Sequence, residues 1–310
     1  MIVTLAGGVG AARMLRGLTR AHRPDEQVAV VNTADDVTLH GLHVSPDIDT
    51  VIYTLAEAIN PETGWGLRDE TWQAMTTLER YGGVTWFNLG DRDLGTHLYR
   101  TQRLTEGAAL HEVCAEIARA WGLSLTVLPM TDDRVETRVT VPGEGEIGFQ
   151  EYFVQRGHSV PVDAVRFDGI DRADPAPGVL TALETADRIV IAPSNPIVSI
   201  GPVLAVPGVR DALVARRNRV VAVSPIVGGQ ALKGPADRML RELGHEPSAA
   251  GVAGLYADVA ATLVIDTVDA DQADAVAAVG VRPVVTDTVM TTPDRAEALA
   301  RTVLDEGDDT

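Results

Sequence analysis

Cysteine is almost absent from the 310-residue chain, and its single cysteine, Cys114, excludes an internal disulfide framework. Cys114 lies in a segment predicted to be helical, 108–121, and we interpret it as a small buried side chain. Lysine is equally scarce, because Lys233 is the only one among 26 basic residues. With 44 acidic residues the formal net charge is −18, and no basic stripe is visible. We therefore expect neither nucleic acid nor an anionic membrane as a partner.

Long apolar runs are also missing. No uninterrupted run approaches the roughly 20 residues of a membrane span. The first basic residue, Arg13, follows the N-terminal glycines, so the basic start of a secretory signal is absent and we expect a cytoplasmic protein. Hydrophobic residues make up 45% of the chain, an ordinary value for a globular protein. The acidic tail, 305–310, is expected to be frayed.

Short β-branched runs alternate with helix-length amphipathic segments along the chain. This alternation predicts an α/β protein with a Rossmann-like, mostly parallel sheet and helices on both faces. The predicted strands are 2–6, 27–32, 124–128, 188–192, 220–223, 262–265 and 282–285, and the predicted helices are 11–21, 51–59, 108–121, 271–279 and 293–304.

The middle of the chain has a different pattern. Residues 136–141 and 146–154 alternate apolar and polar side chains around a Pro-Gly-Glu-Gly turn, which predicts a β-hairpin, and 168–177 is predicted to be a loop. We predict a core formed by 1–130 and 181–310, with a smaller inserted α+β subdomain at 131–180.

A glycine-rich turn, Gly7-Gly8-Val9-Gly10, links the first strand to the first helix. Such a turn lets backbone amides approach a phosphate, which makes Gly8, Gly10 and Arg13 candidate substrate contacts. The dinucleotide fingerprint is incomplete, since Arg13 stands at its third glycine, and the Walker pattern fails too. The alternative is a tight strand-to-helix turn without a ligand.

Carboxylates follow the second strand in Asn32-Thr33-Ala34-Asp35-Asp36 and recur at Asp47 and Asp49. Hard oxygen ligands of this kind suit Mg²⁺, which favours Asp35 and Asp36 as metal ligands and Asn32 as a substrate contact. Asp47 and Asp49 precede a predicted helix, so the alternative is that they only cap it.

Two further groups of polar residues follow. Leu89-Gly90-Asp91-Arg92-Asp93 is followed by His97, which is a candidate general base, substrate contact or structural histidine. After the strand at 188–192, two prolines fix a loop at the edge where open α/β sheets bind ligands. That loop and its counterpart after 220–223 supply the candidate substrate-binding residues Ser194, Asn195, Ser199 and Gly229.

Together, the segments 7–10, 45–50, 89–97 and 192–202 resemble those of the 2-phospho-L-lactate transferases of coenzyme F(420) biosynthesis, and the resemblance runs nearly end to end. It implies Mg²⁺, a guanosine diphosphate-linked donor, a deazaflavin acceptor called Fo, release of GMP and a homodimer. It also implies that Asp49 and Asn88 bind the deazaflavin and that Asp35 binds the metal. Asp49, Asp91 and His97 are then the candidates to orient the attacking hydroxyl.

One departure concerns the donor. The glycine turn is followed by Ala11-Ala12-Arg13, as in the bacterial branch, where the donor carries either an enolpyruvyl or a lactyl group. Two other functions stay open from the sequence. A related branch binds nucleotide sugars as a regulator without catalysis, and a nicotinamide-dependent oxidoreductase would share the sheet but not Arg13.

Overall fold

The computed structural model describes residues 1–306, and its central feature is a parallel sheet of seven strands. The sheet confirms the α/β prediction; the boundaries of the inserted subdomain stay a prediction. In chain order the strands are β1 Ile2–Ala6, β2 Gln27–Val31, β3 Val37–Leu39, β4 Leu42–Val44, β5 Thr126–Pro129, β6 Glu136–Val141, β7 Gly145–Gly148, β8 Ala164–Asp168, β9 Arg188–Ile191, β10 Val220–Val223, β11 Ile226–Val227, β12 Gln230–Ala231, β13 Thr262–Asp266 and β14 Arg282–Thr286.

Helices cover both faces of this sheet, which explains why its five inner strands are buried along their whole length. Among the described residues, no helix is long and apolar enough to cross a membrane. The helices are α1 Gly8–Ala21, α2 Pro46–Leu55, α3 Gln73–Arg80, α4 Asp93–Thr105, α5 Leu110–Ala120, α6 Val179–Thr185, α7 Ile200–Ala205, α8 Val209–Ala215, α9 Ala236–Glu242, α10 Ala249–Tyr256, α11 Ala273–Ala278 and α12 Pro293–Asp305. Cys114 is buried on α5, as predicted.

The strand order places the turning point of the topology between β1 and β9. The order across the sheet is β14-β13-β10-β9-β1-β2-β5, so the chain leaves β1 in one direction and returns at β9 on its other side. In open α/β sheets the loops diverge at such a point and leave a crevice at the carboxyl ends of the strands. We therefore expect the ligand site beside the ends of β1 and β9.

Two local predictions were wrong. The strand expected at 146–154 ends at Gly148 and gives way to a π-helical turn, Glu151–Gln155. Phe149 stacks on Phe153 with ring centroids 5.4 Å apart, a pairing of residues four apart that a helical turn allows and a strand does not. The three-stranded sheet β7-β6-β8 also contains a strand that was not predicted, since only Asp168, the last residue of β8, had been assigned, to the loop at 168–177.

Helix α2 begins earlier than predicted. Pro46 takes its first position, where a proline needs no amide hydrogen and its fixed φ suits a helix. Asp47 and Asp49 therefore lie within the first turn rather than before it. Both aspartates are buried, so α2 carries them toward the carboxyl edge of the sheet.

Candidate functional site

A cavity of about 770 Å³ lies at the turning point between β1 and β9. The two loops that build it are in close contact, because a Cβ on Gly10 would lie 2.3 Å from the carbonyl oxygen of Pro193. Gly8 has φ +69°, in the region that favours glycine. Ten of the candidate residues line the cavity, namely Gly8, Gly10, Arg13, Asp35, Asp49, Asn88, His97, Ser194, Asn195 and Ser199.

Three other candidates have different roles in the structure. Asp36 accepts hydrogen bonds from His43 Nε2 at 2.8 Å and Ser45 Oγ at 2.6 Å, so it fastens the hairpin of β3 and β4. Asp91 accepts from the backbone amides at the start of α3, at 3.0 Å each, and from a threonine hydroxyl. Gly229 lies in the tight turn between β11 and β12, with φ +75°. Asp36, Asp91 and Gly229 are not among the residues that line the cavity, and their contact with a ligand stays a prediction.

Asp35 and Asp47 form the acidic part of the cavity. Burial raises the pKa of Asp47 to about 7, although Asn32 Nδ2 donates to its Oδ2 at 3.0 Å and the Gly8 amide also donates to it. Burial, and then the charge of Asp47, raise the pKa of Asp35 well above its usual value. Asp35 Oδ1 is buried without a hydrogen-bond partner. Asn32 thus acts through Asp47 instead of lining the cavity.

This pair fits a divalent cation. Two neighbouring buried carboxylates that titrate high are stabilised when a positive ion binds between them. Asp35 and Asp36 each have a buried Oδ1 without a hydrogen-bond partner, but only Asp35 of the two lines the cavity, whereas Oδ2 of Asp36 is held by His43 and Ser45 of the hairpin. We therefore identify Asp35 and Asp47 as the residues best placed to hold Mg²⁺.

A second polar cluster joins α2 and α4, and its members Asp49 and His97 line the cavity. The guanidinium of Arg100, fully buried on α4, donates to both oxygens of Asp49. His97 Nδ1 lies 3.7 Å from Asp49 Oδ2, and His97 Nε2 lies 3.3 Å from Asp93 Oδ2. The Asp93 carboxylate also accepts from Tyr53 Oη at 2.6 Å.

The spacing of Asp49, Asp93 and His97 is compact enough for a metal, since their ligand atoms lie within 4.8 Å of one another. However, Arg100 already supplies a buried positive charge and engages both oxygens of Asp49. A cation there would have to displace or repel the guanidinium. We therefore interpret this cluster as one that positions Asp49.

The loop after β9 contributes two polar side chains with different surroundings. Asn195 Oδ1 accepts from the amides of Ile197 at 2.9 Å and Val198 at 3.4 Å, so this side chain shapes its own loop. The hydroxyl of Ser194 is buried and has no hydrogen-bond partner. Because a buried hydroxyl without a partner is costly, Ser194 is the residue of this loop best suited to bind a ligand.

One wall of the cavity is aromatic and is formed by residues in and beside the π-helical turn. Phe149, Phe153 and His158 line the cavity, and Phe153 stacks on Phe149 and on His158, with centroid distances of 5.4 Å in both pairs. Phe87 and Trp65 line the cavity as well. The cavity therefore offers flat apolar surfaces for ring systems next to its charged centre.

Sequence reasoning missed Arg100 and the aromatic wall. Asp93, His97 and Arg100 are spaced four and three residues apart, which places them on one helical face, and that spacing was the available signal. The aromatic wall was not predicted because the stretch containing Phe149 and Phe153 was interpreted as a strand.

Comparisons with known proteins agree along the whole chain. The family model described as 2-phospho-L-lactate transferase CofD matches residues 2–304. A phosphoenolpyruvate transferase of Streptomyces griseus is 48% identical over 310 residues, covering 98% of this chain and 97% of that protein. The phosphoenolpyruvate transferase of Mycolicibacterium smegmatis is 40% identical, with 98% of each chain covered.

A solved structure shares the fold at low identity. A member of the UPF0052 family from Bacillus halodurans superposes with a TM-score of 0.67 and 18% identity, covering 98% of each chain. At this identity the likeness supports the architecture of the sheet and its flanking helices.

Proposed function

The chain belongs to the 2-phospho-L-lactate transferase CofD family, which makes it a CofD-type transferase of coenzyme F(420) biosynthesis, and on this premise we propose its reaction. The donor is enolpyruvyl-diphospho-guanosine and the acceptor is the deazaflavin Fo. The terminal ribityl hydroxyl of Fo attacks the phosphorus that carries the enolpyruvyl group. The bond from that phosphorus to the bridging oxygen breaks, and GMP leaves.

The carboxylate pair of Asp35 and Asp47 beside the glycine turn is the observation that carries this proposal. These residues would hold Mg²⁺, and the bound ion would neutralise charge on the phosphates. A diphosphate needs such neutralisation in a protein whose formal net charge is −18. The enolpyruvyl donor is favoured over the lactyl one because the named relatives are phosphoenolpyruvate transferases.

Asp49 is the residue that we assign to the acceptor hydroxyl. Burial raises the pKa of Asp49, and Arg100, whose guanidinium holds both of its oxygens in place, opposes that rise. Phosphoryl transfer through a loose transition state depends mainly on positioning, and the hydroxyl proton leaves late. Asp49 with neighbouring His97 is the acceptor that we assign to that proton.

Two groups of lining residues suit the two ring systems. Phe87 and Asn88 line the cavity, and we assign them to the deazaflavin. The stacked Phe149 and Phe153 line it as well, and we assign them to the guanosine.

Product analysis tests the reaction. We expect incubation of the enzyme with Fo, Mg²⁺ and the enolpyruvyl donor to yield GMP and a dehydro product, identified by its mass. The lactyl donor gives a product heavier by two hydrogens, so a preference for it would correct the donor assignment. Binding of UDP-sugars without any Fo product would instead support a regulatory nucleotide-sugar protein.

Ser194 offers a specific test of the donor site. Replacing it by alanine removes a hydroxyl that has no partner within the protein, so we expect the KM for the donor to rise about 3- to 10-fold, the value of one hydrogen bond. The melting temperature is expected to stay unchanged.

Ser224→Ala is the matched control. Ser224 also lines the cavity, but its hydroxyl donates to the Ile226 carbonyl at 2.9 Å and accepts from the Ile226 amide at 3.2 Å. We expect this variant to lose stability and keep its donor KM. Equal donor KM values for Ser194→Ala and the wild type would contradict the placement of Ser194.

A further inference from the structure

Two basic side chains without an acidic partner face the cavity. Arg13, on the second turn of α1, and Lys233, between β12 and α9, both line it. Within residues 1–306, neither side chain forms an ion pair. In the part of the chain that the structure describes, the Lys233 ammonium donates one hydrogen bond, to the carbonyl oxygen of Thr63 at 2.9 Å.

Arg13 and Lys233 differ from surface arginines such as Arg20, which contacts Asp294 and Glu297, both at 2.8 Å, because they line a cavity. Both side chains are exposed, and burial of part of Lys233 together with the charge of Arg13 lowers the pKa of Lys233. An anion bound between the two side chains would reduce the repulsion between them.

The position of Lys233 indicates which anion this is. A Cβ added to Gly64 would lie 2.9 Å from Lys233 Nζ and 3.7 Å from a methyl group of Val9, so the ammonium lies beside the glycine turn. At the other end of the same turn, a Cβ on Gly7 would lie 2.9 Å from Asp47 Oδ2. The turn is therefore flanked by a cationic pair and a carboxylate pair.

A ligand with two linked phosphates matches this arrangement. One phosphate lies toward the carboxylates that would hold a divalent ion, and the other lies toward the cations. Gly234, next to Lys233, approaches Phe153, since a Cβ there would lie 3.9 Å from the Phe153 ring. Lys233 is thus close both to the glycine turn and to the aromatic wall assigned to the nucleoside.

We propose that Lys233 and Arg13 form the subsite for the phosphate that leaves with the nucleoside. This inference rests on the proposed function, which supplies the diphosphate donor. An ammonium is a compact charge on a flexible stem and suits a phosphate whose charge grows as the bond to it breaks. Lys233 is thereby a substrate-binding residue contributed by the segment between β12 and α9.

Calorimetric titration with GDP and with inorganic pyrophosphate, without Fo, tests the subsite. We expect Lys233→Met to weaken both ligands about 10- to 100-fold, the range for a hydrogen bond to a charged group. Lys233→Arg is expected to recover most of the pyrophosphate affinity because it restores the charge. The KM for Fo is expected to stay within twofold of the wild-type value.

Arg119→Met is the control for net charge, because Arg119 is exposed on α5 and outside the cavity lining. Wild-type affinities in Lys233→Met would overturn the inference and leave the proposed reaction standing. A change in the KM for Fo alone would also overturn it, since Lys233 would then only tether the Thr63 loop. Weakened pyrophosphate binding in a protein that makes no product from Fo would support the subsite and refute the reaction.

Discussion

Asp35→Asn is expected to lower turnover at least about 100-fold, while the metal-free protein stays as stable as the wild type or gains stability. A metal contributes several kcal/mol to phosphoryl-type transfer, and about 2.7 kcal/mol corresponds to that factor. The substitution removes the free oxygen of the carboxylate pair and so weakens Mg²⁺ binding. Turnover across a Mg²⁺ titration and thermal unfolding in EDTA measure the two effects.

The expected stability of metal-free Asp35→Asn follows from the direction of the pKa shifts. The pKa of Asp47 rises from 3.8 to about 7 on folding, so between these values the folded state binds more protons than the unfolded state. The stability of the metal-free protein therefore falls as the pH rises through this window, and the cost is complete above it. Because Asp35→Asn removes one of the two charges, its advantage over the wild type is expected at pH 8 and should vanish near pH 4.

Asp36→Asn is the matched control, one residue further along the chain. Its carboxylate holds His43 and Ser45, so we expect a loss of stability with an unchanged Mg²⁺ dependence. A normal Mg²⁺ dependence in Asp35→Asn, or a lost one in Asp36→Asn, would contradict the choice of Asp35 over Asp36.

The contrast between Asp35 and Asp36 shows how much of the site can be predicted from the sequence. The strand before them and the preference of Mg²⁺ for carboxylates predicted an acidic site at this edge of the sheet. Adjacent side chains after a strand point in different directions, however, and only the fold shows which one enters the cavity. Asp47 becomes its partner because α2 begins at Pro46, several residues before the predicted helix.

Other parts of the site depend on contacts between distant segments. The glycine turn and the β9 loop were predicted as ligand loops from their position after strands, and both line the cavity. Lys233 stood out in the sequence only as the single lysine, and its place beside Arg13 follows from the packing of segments more than 200 residues apart. The π-helical turn was missed because a partly alternating apolar pattern favours a strand until the stacking of Phe149 on Phe153 is known.

Arg100→Met is expected to give the largest loss of stability, about 3 to 5 kcal/mol of unfolding free energy at pH 8. The guanidinium is fully buried, and it binds both oxygens of the buried Asp49. Its removal leaves a carboxylate in the interior without its counter-charge, which is the costly case for a buried pair. Urea denaturation at pH 8 measures the loss, and a KM for Fo measures the effect on the site.

Arg103→Met, one turn along the same helix, is the control. Arg103 is bound to Glu116 and Glu106 at the surface, where solvent screening leaves such pairs little effect on stability. A similar loss in both variants would show that Arg100 acts through packing of its stem rather than through the charge of Asp49.

The double variant Asp49→Asn/Arg100→Met separates charge from packing more sharply. If the unpaired carboxylate is the main cost, neutralising it should restore a large part of the stability that Arg100→Met loses, so the two changes should not be additive. The penalty of the single variant should also shrink as the pH falls, because a carboxylate without its partner takes up a proton more readily on folding. Additive losses and a penalty independent of pH would show that Asp49 does not depend on Arg100 for its charge.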